Sequence, residues 1–518
     1  MSFLRSVASI VHQHRINDNL LLPQSVFFFG TQQQPSNKAL QTKQSSPKNS
    51  LVELLDLRPK APTKAKKNNY QTTEKMDTYN SAPIVATVPI FVLALALAIR
   101  YTRLFVGIWA NLTVKPFPVS SSPTFPSKEV TVVIPTTFKT PDELAQCIEC
   151  IQGESPKEIF VVTGDANVSA ARLLVNAHSF KNVKVLGVAK LNKRTQLLTA
   201  LDQVTTPITV FADDDVFWPQ GYLLQLTAIF ENPKVGAGGT CQRVRRNTDG
   251  AVTDFWNILG ISYLSRRVFN NISTNAVDGS ISTLSGRTAA YRTAILKCSE
   301  FSYYFTHDTW MGRPLNSDDD KCLTRYVYSH GWSIAIQTST SLETTVENNS
   351  QYMSQCLRWA RAHWRGNFTV MMNESYWCSA KYAWGCYVIY ASMFQTPSLF
   401  VDGTLAYLLS LALASRSSSV RLGCYIAFAT FLLLTKTVKM ASHFKKHPGD
   451  IVWLPVLIAF SYAHGFLNLY AVATMTTTVW GGKNLHVESK AVVPPSPLLI
   501  ETAPLPRKTR QVVSVSKS

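Results

Sequence analysis

The sequence is poor in cysteine, and its nine cysteines do not form a recognisable framework. Their odd number and irregular spacing argue against a set of disulfides and favour a reducing environment around the main domain. The CxxC pair, Cys147 and Cys150, has no second pair and no nearby histidine. We therefore interpret it as two small apolar positions of a helix rather than as a zinc or redox site.

Acidic residues are also scarce, with 32 Asp and Glu against 51 Lys and Arg, which leaves a formal net charge of +19. Such an excess occurs in nucleic-acid-binding proteins and in membrane proteins, whose cytosolic segments are rich in basic residues. The chain lacks a basic stripe with interleaved aromatic residues. The composition therefore disfavours a nucleic-acid partner and favours membrane lipid.

Long apolar runs are confined to two regions. Residues 83–109 are long enough to span a bilayer, and Arg100 and Arg103 near the end of this run predict that this end faces the cytosol. Three or four further apolar segments follow within 380–480: 383–395, 398–414, 421–440 and 452–478. The first of these is rich in Trp and Tyr and is expected at the membrane interface, and the basic run 443–447 is expected to be a cytosolic loop.

Both ends of the chain have a different composition. Residues 1–80 are rich in Gln, Ser, Lys, Asn and Pro, and residues 481–518 form a tail that contains Pro and Lys. We expect both to be disordered. With one leading helix, three trailing crossings would place both ends outside, whereas a cytosolic C-terminal stretch needs an even number of trailing crossings.

Between residues 128 and 375, short β-branched runs alternate with helical stretches. Four strands are predicted, at 130–135, 158–163, 183–186 and 208–211, separated by helices at 141–152, 169–179 and 193–200. This alternation is typical of a parallel α/β sheet covered by helices on both faces, whose ligands bind at the carboxyl ends of the strands.

Two acidic runs carry candidate chemistry. Asp213–Asp215 directly follows the fourth predicted strand, where Asp213 and Asp215 can bind Mg²⁺ or Mn²⁺ and leave metal positions for water and diphosphate oxygens. The alternative is a solvated turn or a helix N-cap. Asp318–Asp320 begins a predicted helix. One of its carboxylates could take the proton of an acceptor hydroxyl, while we expect Asp318 merely to complement the helix N-terminus.

Further candidates lie before and after these runs. Asp165 follows the second strand and can accept hydrogen bonds from a uracil or ribose, and Lys193 can pair with phosphates. In the run from Gln355 to Trp359, Arg358 offers a two-pronged hydrogen-bond donor to a diphosphate, and Trp359 a flat face for a sugar. The alternative is an amphipathic helix at the membrane interface.

In this order, the motifs resemble the processive family-2 glycosyltransferases, which include hyaluronan, chitin and cellulose synthases. Fungal type 2 glycosyltransferases that make surface polysaccharide are the most similar in size. The resemblance covers about 130–480 and implies a GT-A-type nucleotide-sugar domain inserted between the transmembrane helices of an integral membrane protein. It also implies a UDP-sugar donor, Mg²⁺ or Mn²⁺, a growing polysaccharide acceptor, and a plasma-membrane location with a cytosolic catalytic domain.

The resemblance implies roles for nine residues. Asp165 and Lys193 would contact the nucleotide, and Asp213 and Asp215 would bind the metal. Asp319 and Asp320 would act at the acceptor hydroxyl, and the cap over the diphosphate would consist of Gln355, Arg358 and Trp359. Asp320 would be the general base, because it precedes the x-x-Leu-Thr of the family pattern. Ser285–Arg292 resembles the acceptor-side segment of the family, and Trp480–Lys483 a stretch that follows its membrane region. As a departure, Thr136–Lys139 contains no acid where the family often has one near the nucleotide.

Two other functions remain open at this point. A ceramide glucosyltransferase shares the aspartate motifs and a (Q/R)xxRW element, but it transfers a single sugar to a lipid. A membrane transporter or scaffold without catalytic activity is the second alternative. It is disfavoured because the charged motifs lie outside the apolar segments.

Overall fold

The strands of the computed structural model, which describes residues 82–478, form an eight-stranded mixed sheet and a separate two-stranded hairpin. In chain order they are β1 Val130–Pro135, β2 Glu158–Gly164, β3 Val183–Val188, β4 Ile208–Ala212, β5 Val216–Phe217, β6 Val235–Val244, β7 Thr288–Arg292, β8 Thr309–Trp310, β9 Arg313–Pro314 and β10 Ser333–Thr344. The four strands predicted from the sequence are β1 to β4, and their bounds differ from the predicted ones by at most two residues.

The α-helices alternate with these strands and then continue beyond the sheet. They are α1 Ala82–Thr113, α2 Pro141–Gly153, α3 Val168–Ala177, α4 Lys193–Leu201, α5 Tyr222–Thr227, α6 Phe255–Asp278, α7 Thr293–Leu296, α8 Phe301–Thr306, α9 Asp319–Ser329, α10 Gln351–Asn373, α11 Ala383–Gly385, α12 Ser398–Ala412, α13 Ser418–Thr437, α14 Ala441–Lys446 and α15 Leu454–Ala473. The predicted helices at 141–152, 169–179 and 193–200 correspond to α2, α3 and α4.

The strand order is β3-β2-β1-β4-β7-β6-β10-β5. β1 to β4 are parallel, as predicted, and so are β6 and β10. The prediction of a wholly parallel sheet is wrong, because β7 runs antiparallel to β4 and β6, and β5 antiparallel to β10. β7 enters the sheet where β4 ends, with Thr288 beside Ala212, so the residues just before β7 lie next to the first acidic run.

The sheet is buried on both faces. All six residues of β1 are buried, with Val132 and Ile134 in one apolar cluster and Val133 in the other. Successive strand residues point to opposite faces, so a strand covered on both sides is apolar throughout. This explains why β1, in which Thr131 is the one polar residue, could be recognised in the sequence as an apolar run.

Three helical spans of the described residues are long and apolar enough to cross a membrane: Val88–Thr113, Ser418–Lys446 and Pro448–Ala473. α12 is apolar but has only 15 residues, whereas a bilayer crossing needs about 20. The predicted interfacial segment 383–395 contains the short α11 and the π-helical turn Cys386–Ala391. These spans indicate a membrane-associated protein.

The basic run 443–447 is not the loop that we expected. α14 covers most of it, and His447 alone separates this helix from Pro448. The helix ends at Lys446 because His447 precedes Pro448, and a residue before proline disfavours the α conformation. The two ends predicted to be disordered, and Trp480–Lys483, lie outside the described residues.

Candidate functional site

A cavity of about 770 Å³ lies at the carboxyl ends of β1 and β4 and extends to the membrane helices. β1 lies between β2 and β4, which is the switch point at which ligands of open α/β sheets bind. Both acidic runs, Lys193, Gln355, Arg358 and Trp359 line the cavity. Residues of α1, α6, α13 and α15 line its other end.

The first acidic run is held by neighbours from different elements. The backbone N–H of Asp213 donates to the carbonyl of Arg287 (2.9 Å), so this turn is tied to the segment before β7. The hydroxyl of Thr136, just after β1, donates to Asp214 (2.5 Å). Asp215 accepts hydrogen bonds from Thr344 (3.3 Å) and Thr345 (3.2 Å) at the end of β10.

The positive charge near Asp215 does not compensate for the burial of its carboxylate and for the neighbouring negative charge. Burial, and then the negative charge of Asp213, raise its pKa to about 7, although the Arg287 guanidinium acts in the opposite direction. Oxygen ligands in an environment that lacks positive charge are suited to a divalent cation. No three His, Cys, Asp or Glu side chains within 82–478 are arranged to hold a metal by themselves. A metal on Asp213 and Asp215 would therefore take its remaining ligands from the donor diphosphate or from water.

The second acidic run begins with a buried ion pair. Asp318 adopts a left-handed backbone conformation (φ 64°) directly before α9, and its carboxylate makes no capping hydrogen bond to that helix. It accepts instead from Nε (2.8 Å) and Nη2 (3.0 Å) of Arg365 in α10, and both side chains are buried. The expectation that Asp318 only complements the helix N-terminus is therefore wrong, because its side chain joins α9 to α10.

The two carboxylates that follow have different partners. Asp319 lies 3.2 Å from the Lys193 ammonium, and Asp320 lies 3.7 Å from the Arg267 guanidinium. Burial acts to raise the pKa of Asp319, but the charges of Lys193 and Arg194 outweigh it, and the pKa falls. The pKa of Asp320 is raised, first by burial and then by the charge of Asp319. Neighbouring carboxyls with opposite shifts can take different roles, and Asp320 is the better proton acceptor.

Lys193 connects the two acidic runs. Its ammonium lies 2.6 Å from Asp213 and 3.2 Å from Asp319. Burial acts to lower its pKa, but these carboxylates raise it above its usual range, so the side chain is charged. The structure thus places this predicted phosphate ligand in the cavity, where it contacts carboxylates.

The predicted cap residues lie on the first turns of α10. The Trp359 ring stacks on Tyr263 with ring centroids 4.9 Å apart, and the Arg287 guanidinium lies 5.3 Å from the Trp359 ring centroid. The Gln355 side chain accepts a long hydrogen bond from the N–H of Glu347 (3.5 Å). Arg358 lines the cavity beside them. The ring and guanidinium contacts hold Trp359 in a defined orientation within the cavity.

The rest of α10 does not form the lipid-facing stripe of an interfacial helix. Trp364 is buried with Met393 and Ala471 of α15, and Arg365 is 2% exposed. Arg365 also donates to the carbonyls of Met475 (3.2 Å) and Thr477 (2.9 Å). α10 therefore connects Asp318 of the second acidic run with the residues after α15.

Asp165 is placed apart from the other candidates. It follows β2, is exposed, and is not among the residues that line the cavity. Its carboxylate lies against Gly187 of β3, where a Cβ would come within 2.3 Å of Asp165 Oδ1. Gly187 thus permits this close approach, and the role of Asp165 at the nucleotide remains a prediction.

Several cavity residues were missed by sequence reasoning. Tyr263 and Arg267 belong to α6, which carries no recognised motif, and Arg287 was included only within Ser285–Arg292. Lys321 is buried, and its ammonium donates to Asn367 (2.8 Å) and to the Ser282 hydroxyl (2.9 Å). Burial lowers the Lys321 pKa to about 7 despite the nearby Asp320 charge. Tyr263 and Arg267 carry no local sequence signal and reach the cavity through the packing of α6, whereas Lys321 directly follows the second acidic run, which could have identified it.

Comparisons with known proteins agree with this arrangement. The family described as "Glycosyltransferase like family 2" matches residues 126–362. The chain is 38% identical over 415 residues to a "Type 2 glycosyltransferase" of Gibberella zeae, covering 78% of each chain, and 38% identical over 389 residues to one of Pyricularia oryzae, covering 74% of this chain and 80% of the other. It is 22% identical over 372 residues to a hyaluronan synthase of Streptococcus pyogenes, covering 68% of this chain and 83% of that protein.

Among solved structures, the chain is similar in part to a mannosyltransferase from Pyrobaculum calidifontis, in complex with GDP-Man and Mn²⁺. The TM-score is 0.47 and the identity 18%, with 74% of this chain and 98% of that chain covered. The predicted resemblance, the GT-A-type fold class and the prediction of an enzyme are confirmed. The chain belongs to family 2 of the glycosyltransferases.

Proposed function

We propose that this glycosyltransferase is a membrane-embedded, inverting enzyme that transfers sugar from a UDP-sugar to a growing extracellular or cell-wall polysaccharide. Membership of the family implies a nucleotide-sugar donor and an acceptor. The observation that supports a polymer coupled to export is the cavity, which extends from both acidic runs to α1, α13 and α15. A site that continues into the membrane helices suits a product that leaves through them.

In this proposal the donor lies against the first acidic run. Asp213 and Asp215 hold Mg²⁺ or Mn²⁺, which supplies positive charge to the departing diphosphate when it is bound. Lys193 and Arg358 add cationic contacts to the same diphosphate, and Asp165 contacts the base. Gln355 completes the cap over the donor.

The acceptor lies against the second acidic run. Asp320 accepts the proton of the acceptor hydroxyl while that oxygen bonds to the sugar C1, and the bond from C1 to the diphosphate breaks with its electron pair going to UDP. The raised pKa of Asp320 brings its basicity closer to neutral pH, while Asp319 remains paired with Lys193. Trp359, whose ring is oriented by its contacts with Tyr263 and Arg287, meets the sugar at the polymer end.

We also propose that the catalytic domain is cytosolic and the membrane is the plasma membrane. One long apolar helix precedes the domain and two follow it. Lys439, near the end of the first trailing span, donates to Asn270 of the domain, and Asp450, at the start of the second, pairs with Arg246. The junction of these two spans therefore lies on the domain's side of the membrane, and so do the residues after α15. The contacts of Arg365 with both Asp318 and the carbonyls after α15 support this arrangement.

The experiment is a UDP-release assay on the purified full-length protein with a panel of UDP-sugars and Mn²⁺. Asp320→Asn should lower the turnover by about 10²- to 10⁴-fold, the usual contribution of a general base, while UDP still binds. Asp202→Asn is the matched control, because Asp202 is exposed and outside the cavity. Full turnover in Asp320→Asn would contradict the mechanism.

Analysis of the product separates the polymer from the ceramide-type alternative. High-molecular-weight material that linkage-specific hydrolases digest would support the polysaccharide, whereas a single sugar on an extractable lipid would support the alternative. Failure to bind any nucleotide sugar would contradict the proposed donor class.

A further inference from the structure

The cavity has two ends of opposite charge. The carboxylates that line it are those of the two acidic runs, three in each run. Where the cavity reaches the membrane helices its charged lining is basic instead. We define the basic end by four residues: Arg100 and Arg103 of α1, Arg266 of α6, and Lys439, which lies between α13 and α14.

Within the described residues, the cations of the basic end have no carboxylate partners. Arg100 donates to the backbone carbonyl of Gln395 (3.0 Å), and Arg266 to the carbonyl of Ser262 in its own helix (3.2 Å). Lys439 donates to the Asn270 amide oxygen (2.7 Å). These neutral acceptors leave the positive charges uncompensated.

Lys436, one helical turn before Lys439, shows the contrast. Its ammonium lies 2.8 Å from Asp402 and 4.2 Å from the ring centroid of Tyr462. The fold therefore neutralises one cation of this region internally and leaves its neighbour without a counter-charge. Partly buried cations of like charge repel one another, and holding them together is costly unless an anion binds between them.

The packing brings these cations together from three elements. Arg100 and Arg103 are one turn apart on the same face of α1. Gly107, one turn after Arg103 on α1, lies against the Phe269 ring of α6, where a Cβ would come within 3.1 Å. Lys439 approaches the same stretch, with its ammonium 5.2 Å from the Phe269 ring centroid. The cations of α1 and of the chain after α13 thus converge on α6.

We propose that the basic end binds the phosphate group of an anionic membrane lipid. A phosphate carries its charge in one small group that four converging cations can contact together. The carboxylates of an acidic polysaccharide are instead spread along a chain. Half-buried apolar side chains of the same cavity, Trp384 and Val388, offer contacts to the lipid chain. This inference goes beyond the proposed function and does not depend on which sugar is transferred.

The test measures lipid binding by the full-length protein in a neutral maltoside detergent. The probe is a fluorescent short-chain phosphatidic acid, and diacylglycerol with the same chains and fluorophore is the comparison without phosphate. We expect the double variant Arg103→Gln/Lys439→Gln to weaken phosphatidic acid binding by about 100-fold, since each lost charge-assisted hydrogen bond costs about tenfold. Diacylglycerol binding should be weak in both proteins.

The matched control is Lys445→Gln/Lys446→Gln, which removes the same charge from two exposed lysines outside the cavity lining. This control should bind phosphatidic acid like the wild type. Arg103→Lys/Lys439→Arg, which keeps the charge, should recover most of the affinity. If the glutamine double variant does not elute as a folded protein, the single variant Arg266→Gln takes its place, with about a tenfold loss expected.

Several results would overturn the inference: equal affinity for both lipids, unchanged affinity in the folded double variant, or equal loss in the lysine control. Displacement of the lipid by inorganic phosphate at equal concentration would assign the site to a free anion. Displacement by an oligoglucuronate would assign it to an acidic glycan. UDP release is measured in parallel, so that lipid binding without UDP release would remove the proposed function and leave this inference standing.

Discussion

Replacement of Arg365 by methionine should destabilise the protein more than the loss of an ordinary surface charge. Arg365 makes two hydrogen bonds to Asp318, of 2.8 and 3.0 Å, and the two side chains are 2% and 3% exposed. Without the guanidinium, the Asp318 carboxylate is buried and unpaired. Breaking a buried pair from one side costs about 3–5 kcal/mol.

The consequence can be measured as a melting temperature. For a domain of about 250 residues, 1 kcal/mol corresponds to about 2 °C, so Arg365→Met should lower the midpoint by about 6–10 °C. Turnover should fall as well, because Asp318 lies two residues before Asp320, the proposed general base, and its pair with Arg365 holds the start of α9 against α10. The assay is heating of the detergent-purified protein followed by size-exclusion chromatography, with UDP release measured at a temperature where the variant is folded.

A double-mutant cycle tests the reason for the loss. Asp318→Asn in the Arg365→Met background removes the orphaned charge and should recover part of the stability, with a coupling free energy above about 1 kcal/mol. Arg172→Met, at an exposed position of α3, is the matched control and should melt like the wild type. A midpoint of Arg365→Met within about 2 °C of the wild type would refute the assignment of a buried, stabilising ion pair.

Three further predictions concern the cavity. Burial and the charge of Asp213 raise the pKa of Asp215 to about 7, so the metal-free folded protein binds a proton at Asp215 more tightly than the unfolded chain does. The stability that this protonation contributes is lost as the pH rises from about 4 through 7. Asp215→Asn should therefore melt higher than the wild type at pH 8 without metal, yet lose metal-dependent turnover; a lower midpoint would contradict this. Trp359→Ala should keep UDP binding and lose polymer, so unchanged polymer yield would exclude its acceptor role. Gly187→Ala should displace the Asp165 carboxylate and raise the KM for the UDP-sugar, with turnover at saturation nearly unchanged; an unchanged KM would separate Asp165 from the nucleotide.

Local patterns predicted much of the catalytic domain. β1, β2 and β4 are rich in β-branched residues and buried almost throughout, so burial in the fold and apolarity in the sequence coincide. The antiparallel β7 escaped prediction, since Thr288–Arg292 is short, mixed in polarity and far from its partner β4 in the chain. The prediction of a loop for the basic stretch in α14 rested on its charge, but charged residues do not end a helix. The helix ends just before Pro448, because proline interrupts helical hydrogen bonding.

The candidate site was predictable to the extent that its residues follow strands or stand in compact motifs. The structure brings eight of the nine predicted site residues to one cavity and leaves Asp165 outside its lining. The residues that escaped prediction, such as Arg267 and Tyr263, lie on α6 at positions that an isolated helix would not distinguish from their neighbours. Their proximity to Asp320 and Trp359 arises from helix packing.

The sequence by itself determined the family, the first four strands, the apolar spans and the positions of both acidic runs, because each of these follows from residues that are neighbours in the chain. Only the tertiary structure decided what each carboxylate does. Asp318 pairs with a residue 47 positions away, Asp319 with Lys193, and Asp320 faces Arg267. Burial and the position of these cations set the charge of each group, and both depend on how α4, α6 and α10 pack around the end of the sheet.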